Sequence, residues 1–305
     1  MSGVRLRRSA HFVPSANEKM LAKSLATAAD SLVLDLEDAV TPERKDEARA
    51  VVAGWLATVD FAGKERIVRL NPLETPWGRA DVAATMVHPP DAYLVPKIRT
   101  LDDVLLLDAE IAAREREHGH APGGVKLILV ATETPQGVLN LPTFTRCQRV
   151  NALTWGAEDL SAAIGARRSR DEHGDYLEVF RHCRLQTLLC AAAAGVQPLD
   201  TAFVDIRNLE GLRRDCRDAA WMGFTGKITI HPDHVPIVNE MFSPSPEEAA
   251  EALELVAAFE AAQREGRMAF QFRGAMVDMP HLTRARTIVA QARAAGVIPT
   301  PGAGH

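Results

Sequence analysis

The chain has 305 residues, 47% of them hydrophobic and 25% charged; at about 150 residues per domain this is one large domain or two ordinary ones, not a disordered chain or a miniature scaffold. Thirty-five Lys and Arg stand against 40 Asp and Glu, a net charge of −5, the wrong sign for a general nucleic-acid binder or a protein of anionic membranes. Folding hides roughly three-quarters of the surface of a chain this long, so its core needs neither disulfides nor structural metal.

In chain order, residues 1–8 lack the hydrophobic region of a secretion signal, and Arg7-Arg8 is a poor twin-arginine signal. No apolar run approaches the roughly 18 residues that span a bilayer, so the expected location is cytoplasmic, with no membrane partner. Short apolar, β-branched runs recur at 10–13, 31–36, 66–70, 92–95, 125–131, 152–155, 202–204 and 227–230. None alternates strictly, as expected for strands buried on both faces. Helical patterns lie between them, at 18–29, from Thr41 onward, and at 102–117, 135–145, 177–194 and 209–222. In the second of these, Thr41 is placed to cap and Pro42 suits the first helical position. Ala48, Val51, Val52 and Trp55 then recur at i, i+3, i+4, i+7 to form a buried stripe. Strands alternating with helices predict parallel βα units, and eight of them predict a (β/α)8 TIM barrel, an α/β fold, over residues 1–242.

After Ile230 the chain continues for 75 residues, more than one closing helix needs. The Ser243-Pro244-Ser245-Pro246 break leads into an Ala/Glu-rich helix over 247–264, a hydrophobic stretch over 270–280 and a helix to 295. Residues 243–305 thus read as a C-terminal helical extension that covers the barrel or reaches a neighbouring subunit, with a disordered end from Ile298. Cys147, Cys183, Cys190 and Cys216 lack CxxC spacing and read as reduced core or helix residues, not a disulfide frame or zinc site.

In such a barrel the active site lies beyond the carboxyl ends of the strands. Asp35, Glu37, Asp38, Arg69, Asn71, Lys97, Glu133, Glu158, Asp159 and His231 all fall there. Any one alone is equally a solvated loop charge; together they ring one face. Glu133 and Asp159, after the fifth and sixth strands, can place two carboxylates on one hard cation, with Mg2+ the natural choice, leaving positions for water and substrate. Their alternative is bonding to loop amides or an arginine. Arg69 offers a planar fork for a carboxylate or ligand oxygen, or else an ion pair with Glu37 or Asp38. Lys97 and His231 are as well explained by structural hydrogen bonds.

Eight segments, in order, carry a family likeness. They are Arg8-Ser-Ala-His-Phe-Val-Pro14, Leu34-Asp-Leu-Glu-Asp-Ala-Val40, Arg69-Leu-Asn71, Val95-Pro-Lys97, Glu133-Thr-Pro-Gln-Gly137, Trp155-Gly-Ala-Glu-Asp-Leu160, Phe224-Thr-Gly-Lys-Ile-Thr-Ile-His-Pro232 and Met276-Val-Asp-Met-Pro280. Each alone is weak, but the set in register resembles the citrate lyase β-subunit-like family of CoA-ester lyases, within the HpcH/HpaI aldolases, which includes malyl-CoA and citramalyl-CoA lyases.

The resemblance implies a homotrimeric barrel, or a dimer of trimers, that reversibly cleaves a 3-hydroxyacyl-CoA into a short acyl-CoA and a small 2-oxo acid with Mg2+, or Mn2+ in its place. It implies Glu133 and Asp159 as metal ligands and Arg69 as the residue that polarises the reacting oxygen. Phe12, Lys23, Glu158, Ile230 and His231 would line the CoA or oxo-acid pocket. Asp278 would be the acid/base that the C-terminal segment delivers into a neighbouring subunit; its plain role is a helix N-cap.

The chain departs from the pattern at Ser15-Ala16-Asn17, where relatives carry Gly and Arg, which shifts phosphate contact toward Lys23. His11 replaces an aliphatic residue and reads as a packing histidine. The Arg167-Arg168-Ser169-Arg170 run reads either as a contact for CoA phosphates or as a solvated loop. Competing functions are a malyl-CoA thioesterase, a citrate lyase β subunit acting on an acyl-carrier-protein thioester, and a non-catalytic binding subunit.

Overall fold

Seven of the eight apolar runs are buried for the most part on both faces, and this makes them strands of a closed sheet. In β2 (Ser31–Asp35) every residue is buried; Val33 joins an inner cluster while Leu32 and Leu34 join an outer one, the period-2 alternation of a strand. With β1 (Ser9–Pro14), β3 (Glu65–Arg69), β4 (Ala92–Val95), β5 (Lys126–Val130), β6 (Val150–Thr154), β7 (Gln197–Asp200) and β8 (Gly226–Thr229) it closes a barrel in chain order. All pairs are parallel, and the last seam joins Ser9 to Lys227, Ala10 to Ile228 and His11 to Thr229. Ala10, Ile67, Leu94, Ile128, Ala152 and Ile228 help fill the inside, so it is a packed core and not a pore. Each large aliphatic side chain buried this way contributes about 1.5–3 kcal/mol.

The computed structural model describes residues 5–14 and 17–300. They fall into two compact units, Arg7–Asn239 and one made of residues 240–300 with 5 and 6. Around the barrel run α1 (Glu18–Leu25), α2 (Lys45–Thr58), α3 (Gly78–Thr85), α4 (Leu101–His118), α5 (Pro135–Phe144), α6 (Glu158–Ala163), α7 (Glu178–Ala194), α8 (Leu209–Met222) and α9 (His234–Met241). Their starts follow the sequence: Thr100 and Asp103 form a capping box on α4, and Thr134 accepts from Gly137 N with Pro135 in the first turn of α5. In the second unit Ser245 and Glu248 form a capping box on α10 (Pro246–Arg264). A hairpin of β9 (Phe270–Phe272) and β10 (Ala275–Val277) follows, then α11 (Met279–Ala294).

The structure corrects several expectations. The seventh strand is Gln197–Asp200, and 202–204 lies in the loop after it. Pro198 and the polar ends disguise a strand whose Leu199 is buried inside and whose Asp200 is tied to Lys227 of β8 at 2.7 Å. Thr41 makes no side-chain cap bond; residues Pro42–Arg44 form a 3-10 turn and α2 starts at Lys45. Its stripe still buries Ala48, Val52 and Trp55. The first helix stops at Leu25, four residues short of the expected end at 29. Helix α3 went unforeseen because its apolar periodicity is slight. Ile298 packs with Ala252, Ala285 and Val289, so the chain is ordered to that point at least; residues 301–305 lie outside the described residues, as do Ser15 and Ala16.

The four cysteines are unpaired, three of them buried. Among the described residues no helix is long and apolar enough to cross a membrane.

Candidate active site

The strand ends converge on a cavity of about 480 Å³. Its charged wall grows from register. Asp35 and Arg69, the last residues of β2 and β3, are paired neighbours, so their side chains leave the sheet together. Arg69 Nε and Nη2 donate to the two oxygens of Asp35, each at 2.7 Å. The same carboxylate accepts the Glu37 amide at 2.9 Å and the Ala39 amide at 3.3 Å. Arg69 Nη1 lies 2.8 Å from Glu37 and 3.2 Å from Asp38, and the guanidinium sits 4.8 Å from the centre of the Phe12 ring. The arginine is thereby fixed in position and plane before any ligand arrives.

Lys97 joins this group to the carboxylates of β5 and β6. Its φ of 55° is a left-handed conformation that costs a non-glycine residue of the order of 1 kcal/mol. This turn aims its backbone N–H at Glu133 Oε2, 2.7 Å away. Its Nζ donates to Glu37 at 2.5 Å and lies 3.4 Å from Asp159. Glu37 and Glu133 are buried, and burial raises both carboxyls, to about 7 for Glu37 and about 8 for Glu133. The nearby charges of Asp159 and Glu37 push Glu133 further in the same direction. The cluster has more buried negative charge than its two cations satisfy comfortably.

Beneath the wall, buried Lys45 donates to Leu36 O, Glu37 O and Asn71 Oδ1 at 2.7–2.8 Å. Asn71 Nδ2 donates to Leu36 O and Asp81. These bonds lock the β2 and β3 ends together.

The donor set of Glu133 and Asp159 fits a hard divalent cation. Both line the cavity, both offer only oxygen, and Asp159 is 37% exposed, open to the cavity side. Among the described residues no three His, Cys, Asp or Glu side chains gather into a full cage. Two carboxylates with the remaining positions left to water and ligand is how Mg2+ is commonly held. Glycine at 156 is required here, because a Cβ would stand 2.8 Å from Glu133 Cγ.

Of the residues singled out in the sequence, Phe12, Arg69, Glu133, Glu158, Asp159 and Ile230 line one cavity. His231 lies between the lining residues Ile230 and Pro232, 39% exposed, and its Nδ1 accepts the Asp233 amide at 3.3 Å. Glu158 accepts from Ser169 Oγ at 3.3 Å. Lys23 is exposed in the last turn of α1 and is not among the lining residues. Asp278 belongs to the other unit, at the N-cap position of α11, 52% exposed and 2.6 Å from His281 Nδ1. Asn17 caps α1 by accepting from Met20 N at 3.1 Å. His11 is buried with Nδ1 3.0 Å from Thr229 Oγ1, and burial pushes its imidazole down to about 4. Within the arginine run, Arg167 and Arg168 are exposed while Arg170 stacks 3.5 Å from the Tyr176 ring centre.

Asp35 stands on the expected face but without a specific role in the sequence, and Trp155 and Tyr176 carry no role there; all three line the cavity. Asp35 was accessible through register, since strand ends at matching positions in β2 and β3 must meet. Tyr176 carries no such signal, being brought in by a loop.

Residues 8–232 match the family model of HpcH/HpaI aldolase/citrate lyase. The chain is 35% identical over 287 residues to a (3S)-malyl-CoA thioesterase of Cereibacter sphaeroides, covering 94% of this chain and 95% of that one. It is 33% identical over 296 residues to the mitochondrial citramalyl-CoA lyase of Mus musculus, covering 93% and 85%. Among solved structures it is similar to protein CitE of Mycobacterium tuberculosis in complex with magnesium, acetoacetate and coenzyme A. That match has a TM-score of 0.78 and 33% identity, and covers 96% of this chain and 100% of that one. With its eight-stranded barrel, its carboxylate pair and these likenesses over nearly its whole length, the chain belongs to the HpcH/HpaI aldolase/citrate lyase family of carbon–carbon lyases.

Proposed function

We propose that the protein is a Mg2+-dependent CoA-ester lyase that reversibly cleaves a malyl-, methylmalyl- or citramalyl-type 3-hydroxyacyl-CoA into acetyl- or propionyl-CoA and glyoxylate or pyruvate. The observation that carries this is one cavity lined by Glu133, Asp159 and a rigidly held Arg69. Support for the ligands comes from the CitE structure, which holds magnesium, acetoacetate and coenzyme A.

Glu133 and Asp159 would hold the cation, which supplies Lewis-acid polarisation of the hydroxy-acid oxygens. Cleavage removes the hydroxyl proton, and the electrons of the breaking C–C bond pass to a thioester enolate that is then protonated at its α-carbon. Arg69 places fixed positive charge beside the oxygen where negative charge develops, with its reorganisation already paid in the fold. Phe12, Lys23, Glu158, Ile230 and His231 are assigned to the CoA and oxo-acid ends. Asp278 is assigned to proton exchange at the acyl α-carbon in a neighbouring copy's site, within a homo-oligomer. An Asp278→Asn protein that binds substrate normally and keeps full turnover would remove it from this role.

A second function, thioester hydrolysis, is favoured by the likeness to the malyl-CoA thioesterase. Isothermal titration with glyoxylate or pyruvate tests the site itself. Binding that requires Mg2+ and is lost in Glu133→Ala is expected; binding indifferent to both would leave only a non-catalytic scaffold.

A further inference from the structure

Tyr176 lines the active-site cavity and also a second cavity of about 490 Å³ beside it. Val204 is the other residue common to both. The Tyr176 ring is 6% exposed and is gripped from two sides. The Arg170 guanidinium lies 3.5 Å from its centre, and the Trp155 ring meets it edge-on at 4.8 Å.

Both neighbours are themselves anchored. Arg170 Nη1 donates to Gly174 O at 2.7 Å, and its guanidinium lies 5.4 Å from the Phe203 ring centre. Trp155 Nε1 donates to Asp200 at 2.7 Å. That fully buried carboxylate is in turn held by Lys227 at 2.7 Å and Arg184 at 2.8 Å. The loop carrying Tyr176 is closed on itself by the Leu177 N to Ser169 O bond at 3.0 Å and the Asp171 N to Asp175 O bond at 2.8 Å. A ring so fixed is a wall and not a flap. Trp155 directly precedes Gly156, where an added Cβ would stand 2.8 Å from Glu133 Cγ, so this wall borders the carboxylate end of the cavity, where the proposed function seats the 2-oxo acid.

We infer that Tyr176 sets the size limit for the 2-oxo acid: its ring is the partition between the two cavities, and removing it opens the second cavity to a longer substituent. This rests on the lyase function proposed above. The second cavity supplies the room, and the stacking of Arg170 and Trp155 keeps it closed in the wild-type protein.

The experiment measures kcat/KM in the condensation direction with acetyl-CoA and glyoxylate, pyruvate, 2-oxobutanoate or 2-oxopentanoate. On the active-site side the wall is the apolar faces of Tyr176 and Trp155, and one methylene against such a wall discriminates by roughly 10- to 200-fold; the cavity behind it mixes Leu185, Phe203 and Met222 with Arg181, Arg184 and Asp215. Tyr176→Ala is therefore expected to raise the 2-oxopentanoate-to-pyruvate ratio at least ~10-fold. Arg170→Met, which frees the ring, is expected to shift the ratio in the same direction by less, and Tyr176→Phe to keep the wild-type preference. Tyr176→Leu serves if the alanine variant does not fold, with a rise expected there too. An unchanged ratio in a folded Tyr176→Ala or Tyr176→Leu protein overturns the inference. If the wild-type protein turns over no oxo acid, the lyase function fails, and the crystal structure of the variant decides the partition alone. One continuous cavity supports it; two separate cavities overturn it.

Discussion

Asp35→Asn is the substitution whose consequence follows most directly from the geometry. The Asp35 carboxylate is 2% exposed and its acceptors are engaged by donors that include Arg69 Nε, Arg69 Nη2 and the amides of Glu37 and Ala39. An amide side chain turns one of those acceptors into a donor that faces donors, and removes the charge that balances Arg69. Breaking a buried ion pair by neutralising one partner costs about 3–5 kcal/mol. Arg69 keeps Glu37 at 2.8 Å, so the low end, about 3 kcal/mol, is expected in urea unfolding with an unchanged m-value. Freed from its fork, the guanidinium shifts, and a misplacement of about 1 Å costs on the order of 10²-fold in kcat/KM. Asp38→Asn is the control. Its carboxylate is 56% exposed at 3.2 Å from Arg69, and a pair so exposed contributes about 1 kcal/mol at most. Acyl-CoA release from a malyl-type thioester, followed beside urea unfolding, reads both effects. An Asp35→Asn protein within about 1 kcal/mol and threefold of wild type would refute the reasoning.

Other expectations rest on separate parts of the barrel. His11 is buried neutral, its imidazole lowered by burial from 6.5 to about 4. The unfolded chain takes up that proton as pH falls below about 6.5 and the folded one only near 4, so the stabilisation is complete above about 6.5 and is lost progressively toward pH 4, about 3 kcal/mol in all. His11→Leu should flatten that part of the stability profile measured by urea unfolding. Lys227 is fully buried between Asp200 at 2.7 Å and Asp215 at 2.6 Å; Lys227→Met should cost about 3–5 kcal/mol of unfolding free energy by leaving two buried carboxylates with Arg184, 2.8 Å from Asp200 and 3.9 Å from Asp215, as their main remaining cation. Gly156→Ala places a methyl 2.8 Å from Glu133 Cγ, and calorimetry should show Mg2+ affinity weakened at least ~10-fold while stability falls by only about 1–3 kcal/mol.

What could be read from the chain alone divides along physical lines. Runs such as 31–36 and 66–70 announce strands because both faces are buried, and Asp35, Arg69, Glu133 and Asp159 stand out because each lies at or soon after the end of such a run. The seventh strand was missed because its identity comes from partners far away: Leu199 inside the barrel and Lys227 across the seam. The polar network was hidden for the same reason. Lys45 reads as the exposed start of a helix, yet it is buried and spends its three protons on Leu36, Glu37 and Asn71. Arg170 reads either as a contact for CoA phosphates or as a solvated loop charge, and only Tyr176, six residues on, reveals its stacking role. Lys97 gave no sign of its left-handed backbone, which the approach to Glu133 imposes.

The central claim is carbon–carbon cleavage. It is tested most directly by mass spectrometry of all CoA species and small acids formed when the purified protein and Mg2+ are incubated separately with malyl-, β-methylmalyl- and citramalyl-CoA stereoisomers. One thioester is expected to give acetyl- or propionyl-CoA and a 2-oxo acid in equal amounts, with neither formed by Glu133→Ala. Free CoA accompanied by the intact hydroxy acid would contradict the claim and establish thioester hydrolysis in its place.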